Sequence, residues 1–181
     1  RGQDFFRSVV IEALGDHKAA FALPTLTDIA KLDGPLQDDA VLAMGKLGDK
    51  KALETFVALQ RSAPRHVQPS IAAAICLVGV NCGSHQGYLA TSLAFAIDNP
   101  GYQPLLRAAA SGLAALAIAG RDDAAAELIT QGAPTRDPER AAVALALGTL
   151  ALRNPEMILR VVENEKLASP AIELLREAFD M

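Results

Sequence analysis

The chain has 181 residues and a net charge of −4; it is 51% hydrophobic but only 4% aromatic, with no tryptophan and 35 alanines. That is enough apolar side chain for a sizeable core. It is too little clustered basic charge for phosphate neutralisation, which excludes a nucleic-acid partner, and a charged content of 21% excludes a disordered tail.

Apolar spacing predicts helices throughout. Helix 1 is expected over about 3–14, with Phe5, Phe6, Val9, Val10, Ala13 and Leu14 as its stripe and Gly15–Asp16 closing it. Helix 2 follows over about 18–32. Asp38 and Asp39 lie in the first turn of helix 3, where carboxylates oppose the positive helix end. Ala40, Val41, Met44 and Leu47 form its apolar face. Gly48 ends it in the left-handed conformation, and Asp49 caps helix 4, which ends near Ser62. Helix 5 runs from between Arg65 and Pro69 to Val78, helix 6 over about 85–97, helix 7 over about 103–119 and helix 8 over about 123–131. Asp137–Pro138, Asn154–Pro155 and Ser169–Pro170 are each read as a cap followed by the first residue of helices 9, 10 and 11. No stretch reads as a strand.

The punctuation recurs. Pro35, Pro69, Pro104, Pro138 and Pro170 stand 34, 35, 34 and 32 residues apart, each at the head of an apolar helical pattern. Ten residues after the first four come Gly45, Gly79, Ala114 and Gly148, all small. A fixed period of this length marks stacked helical hairpins, none of which buries its own apolar face alone. The expected boundaries are 1–33, 34–66, 67–101, 102–135, 136–168 and a partial 169–181, forming one domain of five antiparallel helix pairs and a closing helix.

The stretch from Ala43 to Leu53, AMGKLGDKKAL, resembles the short HEAT repeat of the phycobilisome-lyase type, roughly A-L-G-x-x-G-D-x-x-A-L-P-x-L. Ala13–Leu14–Gly15 followed by Ala22–Leu23–Pro24 repeats it at the same spacing, and later repeats keep parts of it. A tetratricopeptide array has a similar period but needs about twelve residues between its Leu–Gly and the alanine of its second helix; Gly45 and Ala52 are seven apart. The resemblance implies an all-α, right-handed alpha-alpha superhelix, a HEAT-like solenoid whose second helices line a concave face. On that face the candidate partner-binding residues are Asp28, Lys31, Glu54, Arg61, Ser92, Glu127, Arg160 and Glu163, whose mixed charge suits a protein or peptide partner. Phycobilin-lyase-like or cofactor-chaperone activity, and a purely structural segment of a larger protein, stay open as alternatives.

Catalytic and cofactor chemistry find little support. Cys82 and His85 form C-x₂-H, short of the three or four ligands zinc needs, and a buried thiol at a helix end is the expectation for each cysteine. Two cysteines make no disulfide framework and are compatible with a reducing compartment. Gly79, Gly83 and Gly87 lack the spacing of a phosphate loop. The acid pairs Asp38/Asp39 and Asp122/Asp123 are explained by helix starts. No histidine is followed by glutamate, which speaks against the iron-binding hydroxylases built on HEAT-like repeats. An acidic chain without tryptophan speaks against the HEAT-like DNA glycosylases. No enzyme activity, cofactor or metal is expected. The run 108–119 is too short to span a bilayer, and the first residues lead into an amphipathic helix rather than an apolar leader. The chain does not begin with methionine, so a fragment of a longer array is expected, in a cytoplasmic setting.

Overall fold

The computed structural model describes residues 2–180. They form eleven α-helices and no strand. Packing divides the chain into two units, Arg1–Gln86 and Gly87–Met181.

Unit 1 is built on α1 (Gly2–Asp16), α3 (Gln37–Leu47) and α5 (Gln68–Leu77). Helix α3 packs on α1 along one side and on α5 along the other. The second helices, α2 (Leu23–Ala30) and α4 (Leu53–Ser62), pack against α3 and α5 respectively. Each is entered through a 3₁₀ turn, Ala20–Ala22 and Lys50–Ala52. The layers approach closely because small residues face each other. Gly15 of α1 lies against Ala43 of α3, and Gly45 of α3 lies against Ala74 of α5. Leu26, Val41, Met44, Phe56 and Ile71 fill the space between them and are fully buried.

Helix α6 (Cys82–Asp98) leads into unit 2, which contains α7 (Gln103–Ile118), α8 (Asp122–Gly132), α9 (Glu139–Arg153), α10 (Pro155–Val162) and α11 (Glu165–Asp180). Helix α9 lies between α7 and α11. Helix α7 is buried on nearly every side, from Leu105 to Ala117, as its run of small and apolar residues requires. Among the described residues no single helix is long and apolar enough to cross a membrane. The apolar pair α9 and α10 is bent by 113°.

The expected punctuation holds at several helix ends. Gly48 has φ 73°, and the Asp49 carboxylate accepts the Lys51 amide. Asn154 accepts the Met157 amide, with Pro155 opening α10. Pro69 and Pro104 are each the second residue of their helix.

Other expectations are corrected. Helix α1 ends at Asp16 as expected, but Gly15 lies inside it rather than closing it, and the left-handed residue beyond its end is Lys18, φ 51°. Gly15 is there for the approach of Ala43, not for termination. Pro138 is the N-cap rather than the first residue of α9, after a cis peptide bond from Asp137. Ser169–Pro170 does not open α11. That helix begins at Glu165, where the Asn164 side chain accepts the Lys166 amide, and Pro170 is carried in its second turn. The small residues ten positions after the prolines have unlike roles: Gly45 and Gly148 are close-approach points, whereas Gly79, φ 87°, follows the end of α5. The cysteines are not thiols. Left-handed Gly79 and Asn81 turn the chain back so that Cys82, opening α6, forms a disulfide with Cys76 in the last turn of α5.

Asp39 departs from a simple helix-start role. Its carboxylate accepts a 2.6 Å hydrogen bond from the Ser8 hydroxyl between α1 and α3. Burial raises its pKa above the ordinary 3.8; the Ser8 hydrogen bond opposes the rise, and Asp38 and Glu12 add to it. The folded state therefore holds this proton more tightly than the unfolded chain, and stability falls as pH rises from 3.8 through the raised folded value. Asp39→Asn keeps an acceptor for Ser8 and removes the buried charge. A gain on the order of 0.5–1 kcal/mol is expected at pH 7, fading at and below about pH 3.8, where the wild-type carboxyl is protonated too. Urea unfolding at both pH values measures this difference.

Candidate functional site

A concavity lined by polar and charged side chains lies in unit 2, with a volume of about 490 Å³. Ala94, Ile97 and Asp98 of α6 form one wall; Gln131 of α8, Pro134–Arg136 of the following loop and Glu139 of α9 form the other. The loop is shaped locally. The Thr135 hydroxyl donates to the Gln131 carbonyl at 2.6 Å and the Thr135 amide to the Gly132 carbonyl, which closes the end of α8. Arg140 braces the loop from behind. Its guanidinium donates to the Gly132 and Ala133 carbonyls at 3.1 and 2.6 Å and pairs with Glu177 of α11 at 2.8 Å.

Gln131 is the key side chain. Its amide nitrogen donates to the Ala90 carbonyl of α6 at 2.9 Å and to the Glu127 carboxylate at 2.6 Å. That assigns the orientation of the amide and leaves its oxygen buried without a hydrogen-bond partner. Glu139 is buried and accepts from the Gln103 amide at 3.2 Å. With Asp98 at the rim the lining carries two carboxylates, and Glu127 adds a third behind Gln131; Arg136, on the exposed loop, is the single lining cation among the described residues. A buried acceptor without a partner is costly. The excess negative charge of the lining makes this concavity suited to a group rich in N–H donors. It holds no nucleophile with an adjacent base, and among the described residues no cluster of three or more His, Cys, Asp or Glu is placed to hold a metal ion. Cys82 is bonded to Cys76, so the C-x₂-H pattern offers no thiolate.

The residues expected from the sequence are spread along the second helices. Asp28 in α2 and Lys31 just after it are exposed, as are Glu54 and Arg61 in α4 and Arg160 in α10 with Glu163 after it. Ser92 is corrected: it is 8% exposed, on the core side of α6 between Leu89 and Ala96, and offers no surface to a partner. Glu127 is half-buried and reaches the concavity through Gln131. Arg160 lines a smaller depression of about 360 Å³ with Asp122 and Asp123. Both aspartates serve the α8 start, each oxygen accepting the next residue's amide, as expected for a helix start.

Asp98, Gln131, Arg136 and Glu139 were not singled out by sequence reading. They come from two helix ends, a loop and a helix start, and no spacing links them. The scan against protein-family models matches no family, and the search of curated proteins finds no significant relative.

Proposed function

We propose that this chain is a partner-binding protein of stacked helical hairpins, and that the concavity between α6, α8 and α9 takes a basic or amide-bearing side chain of a protein or peptide partner. The observation that carries this reading is the carboxylate excess of the lining, where buried Glu139 and rim Asp98 face Arg136 alone among the described residues. A guanidinium or ammonium group pairs with these carboxylates and offsets their charge. The volume falls within the range of small-ligand sites, roughly 300–1,000 Å³, which is ample for one side chain. The stacking of α1, α3 and α5 in unit 1, and of α7, α9 and α11 in unit 2, supports kinship with HEAT-type solenoids. Within unit 2 the exposed charges of α10 offer a partner further contacts; the exposed mixed charges of α2 and α4 are a separate candidate surface of unit 1.

The test uses two short capped peptides, one with a central arginine and one with a central glutamate, titrated into ¹⁵N-labelled protein. The arginine peptide shifts the Gln131 side-chain amide signals, and the glutamate peptide does not. Gln131→Leu weakens the arginine peptide at least about tenfold, about 1.4 kcal/mol. Equal responses to both peptides, or none to either, reject the site. For the unit 1 surface, charge reversal at Glu54 and Arg61 reduces recovery of a co-purifying partner; unchanged recovery removes α4 as a binding face.

A further inference from the structure

Helix α1 has two apolar faces, and only one is covered. At about 100° per residue, Ser8, Ile11 and Gly15 share the side that packs on α3, where Ile11 is 4% exposed and Gly15 meets Ala43. Phe5, Phe6, Val9, Val10 and Ala13 share the opposite side. Phe5 and Phe6 are 74% and 68% exposed, and Val9 and Val10 are 47% and 40% exposed. The Asp4–Arg7 ion pair lies off this stripe. A helix apolar on both sides belongs inside a stack.

We propose that this face binds the same face of a second copy of the chain, through an antiparallel α1–α1 contact. The distribution of side-chain size carries the choice of occupant. The stripe is large at its start, Phe5 and Phe6, and small at its end, Ala13. An antiparallel crossing between Val9 and Val10 sets each Phe6 over the other copy's Ala13, so that bulk meets space twice, as a two-fold interface requires. The same orientation opposes the two helix dipoles. Close approach through small residues already occurs in unit 1, where Gly15 of α1 meets Ala43 of the parallel helix α3. The area is consistent with a weak pair. The two phenylalanines and two valines expose about 400 Å² per copy, from roughly 150–250 Å² for a whole aromatic side chain. Two copies thus remove about 800 Å² from water before flanking residues are added, at the low end for specific association. A Kd of about 10–100 μM is expected.

Sedimentation velocity over concentrations from tenfold below to tenfold above that range tests the proposal. The wild type shows a monomer–dimer equilibrium. Phe6→Glu raises Kd at least about tenfold with helical circular dichroism unchanged, since Phe6 is exposed. Ala13→Phe makes the stripe more apolar yet fills the space that receives Phe6, and it too weakens the dimer at least about tenfold. A wild type monomeric throughout overturns the proposal and leaves the stripe to another helical layer or a different protein. Association that survives Phe6→Glu belongs to another face. Association that strengthens with Ala13→Phe is non-specific stickiness. Either result also overturns the proposal.

Discussion

Gly45→Ala is expected to destabilise unit 1 by about 2–4 kcal/mol, since an added Cβ meets its neighbour more closely there than at any other described glycine. A Cβ at Gly45 would stand 2.5 Å from the Ala74 Cα and 2.8 Å from the Ala74 Cβ. Both atoms belong to the α5 backbone or are rigidly attached to it, so no side chain can swing away. Helix α5 must retreat from α3, and packing along that whole face loosens with it: Met44 and Ile71 are fully buried in this core. Alanine returns up to about 1 kcal/mol through its better helix propensity, which does not offset the clash. The control is Gly87→Ala in α6, where nothing lies within 4 Å of the added carbon. There the propensity gain stands alone, about 0.5–1 kcal/mol. Adding Ala74→Gly to Gly45→Ala restores only part of the loss, because removing the Ala74 methyl leaves the α5 backbone still 2.5 Å from the new carbon. Urea denaturation of the two single variants and the double variant measures all three values.

The same glycine shows what the sequence makes legible. Pattern reading marks Gly45 as part of a repeating small position and Gly48 as a helix terminator, and the two behave differently in the structure. Gly48 acts on its own backbone, so its role is local and readable. Gly45 acts on Ala74, and nothing near it in the chain says so. The rule extends along the molecule. Asp49 and Asn154 cap helices through amides two or three residues away and were legible. Asn164 caps α11 in the same way, yet Pro170 drew attention to the wrong start because proline is the louder signal. The disulfide joins residues six apart, but its closure depends on left-handed backbone at Asn81, which a residue other than glycine rarely announces. The concavity of unit 2 was the least legible feature. Gln131 is one glutamine among several, and its meaning arises only when Ala90 of a different helix occupies its amide nitrogen and leaves its oxygen without a donor.

Arg140→Met is expected to destabilise unit 2 by about 2–4 kcal/mol while keeping most of the side chain's apolar volume. Arg140 lies in the first turn of α9, yet its guanidinium serves two other elements. One nitrogen donates to the carbonyls of Gly132 and Ala133, at the C-terminal end of α8, where helix carbonyls lack intrahelical partners. The others form a two-pronged pair with Glu177 of α11, with Nε 2.8 Å from both carboxylate oxygens. The Arg140 side chain is 15% exposed and that of Glu177 is 40% exposed, so the glutamate can be rehydrated after truncation, whereas Gly132 is buried and its carbonyl keeps only the Thr135 amide. Most of the loss therefore comes from the α8 end. Glu177→Gln, which spares the carbonyl bonds, costs less, about 1 kcal/mol. Arg140→Lys recovers little, because a single ammonium cannot address carbonyls and carboxylate from one planar fork. Hydrogen exchange locates the effect: amides at the end of α8 and in the 133–138 loop lose protection first, those of α11 less. A uniform loss across α7, α9 and α11 would instead mean that Arg140 acts through core volume. The loop that Arg140 braces also carries Pro134–Arg136 of the concavity. Arg140→Met should therefore weaken the arginine peptide at temperatures where the rest of unit 2 remains folded, whereas Glu177→Gln should leave that binding nearly intact.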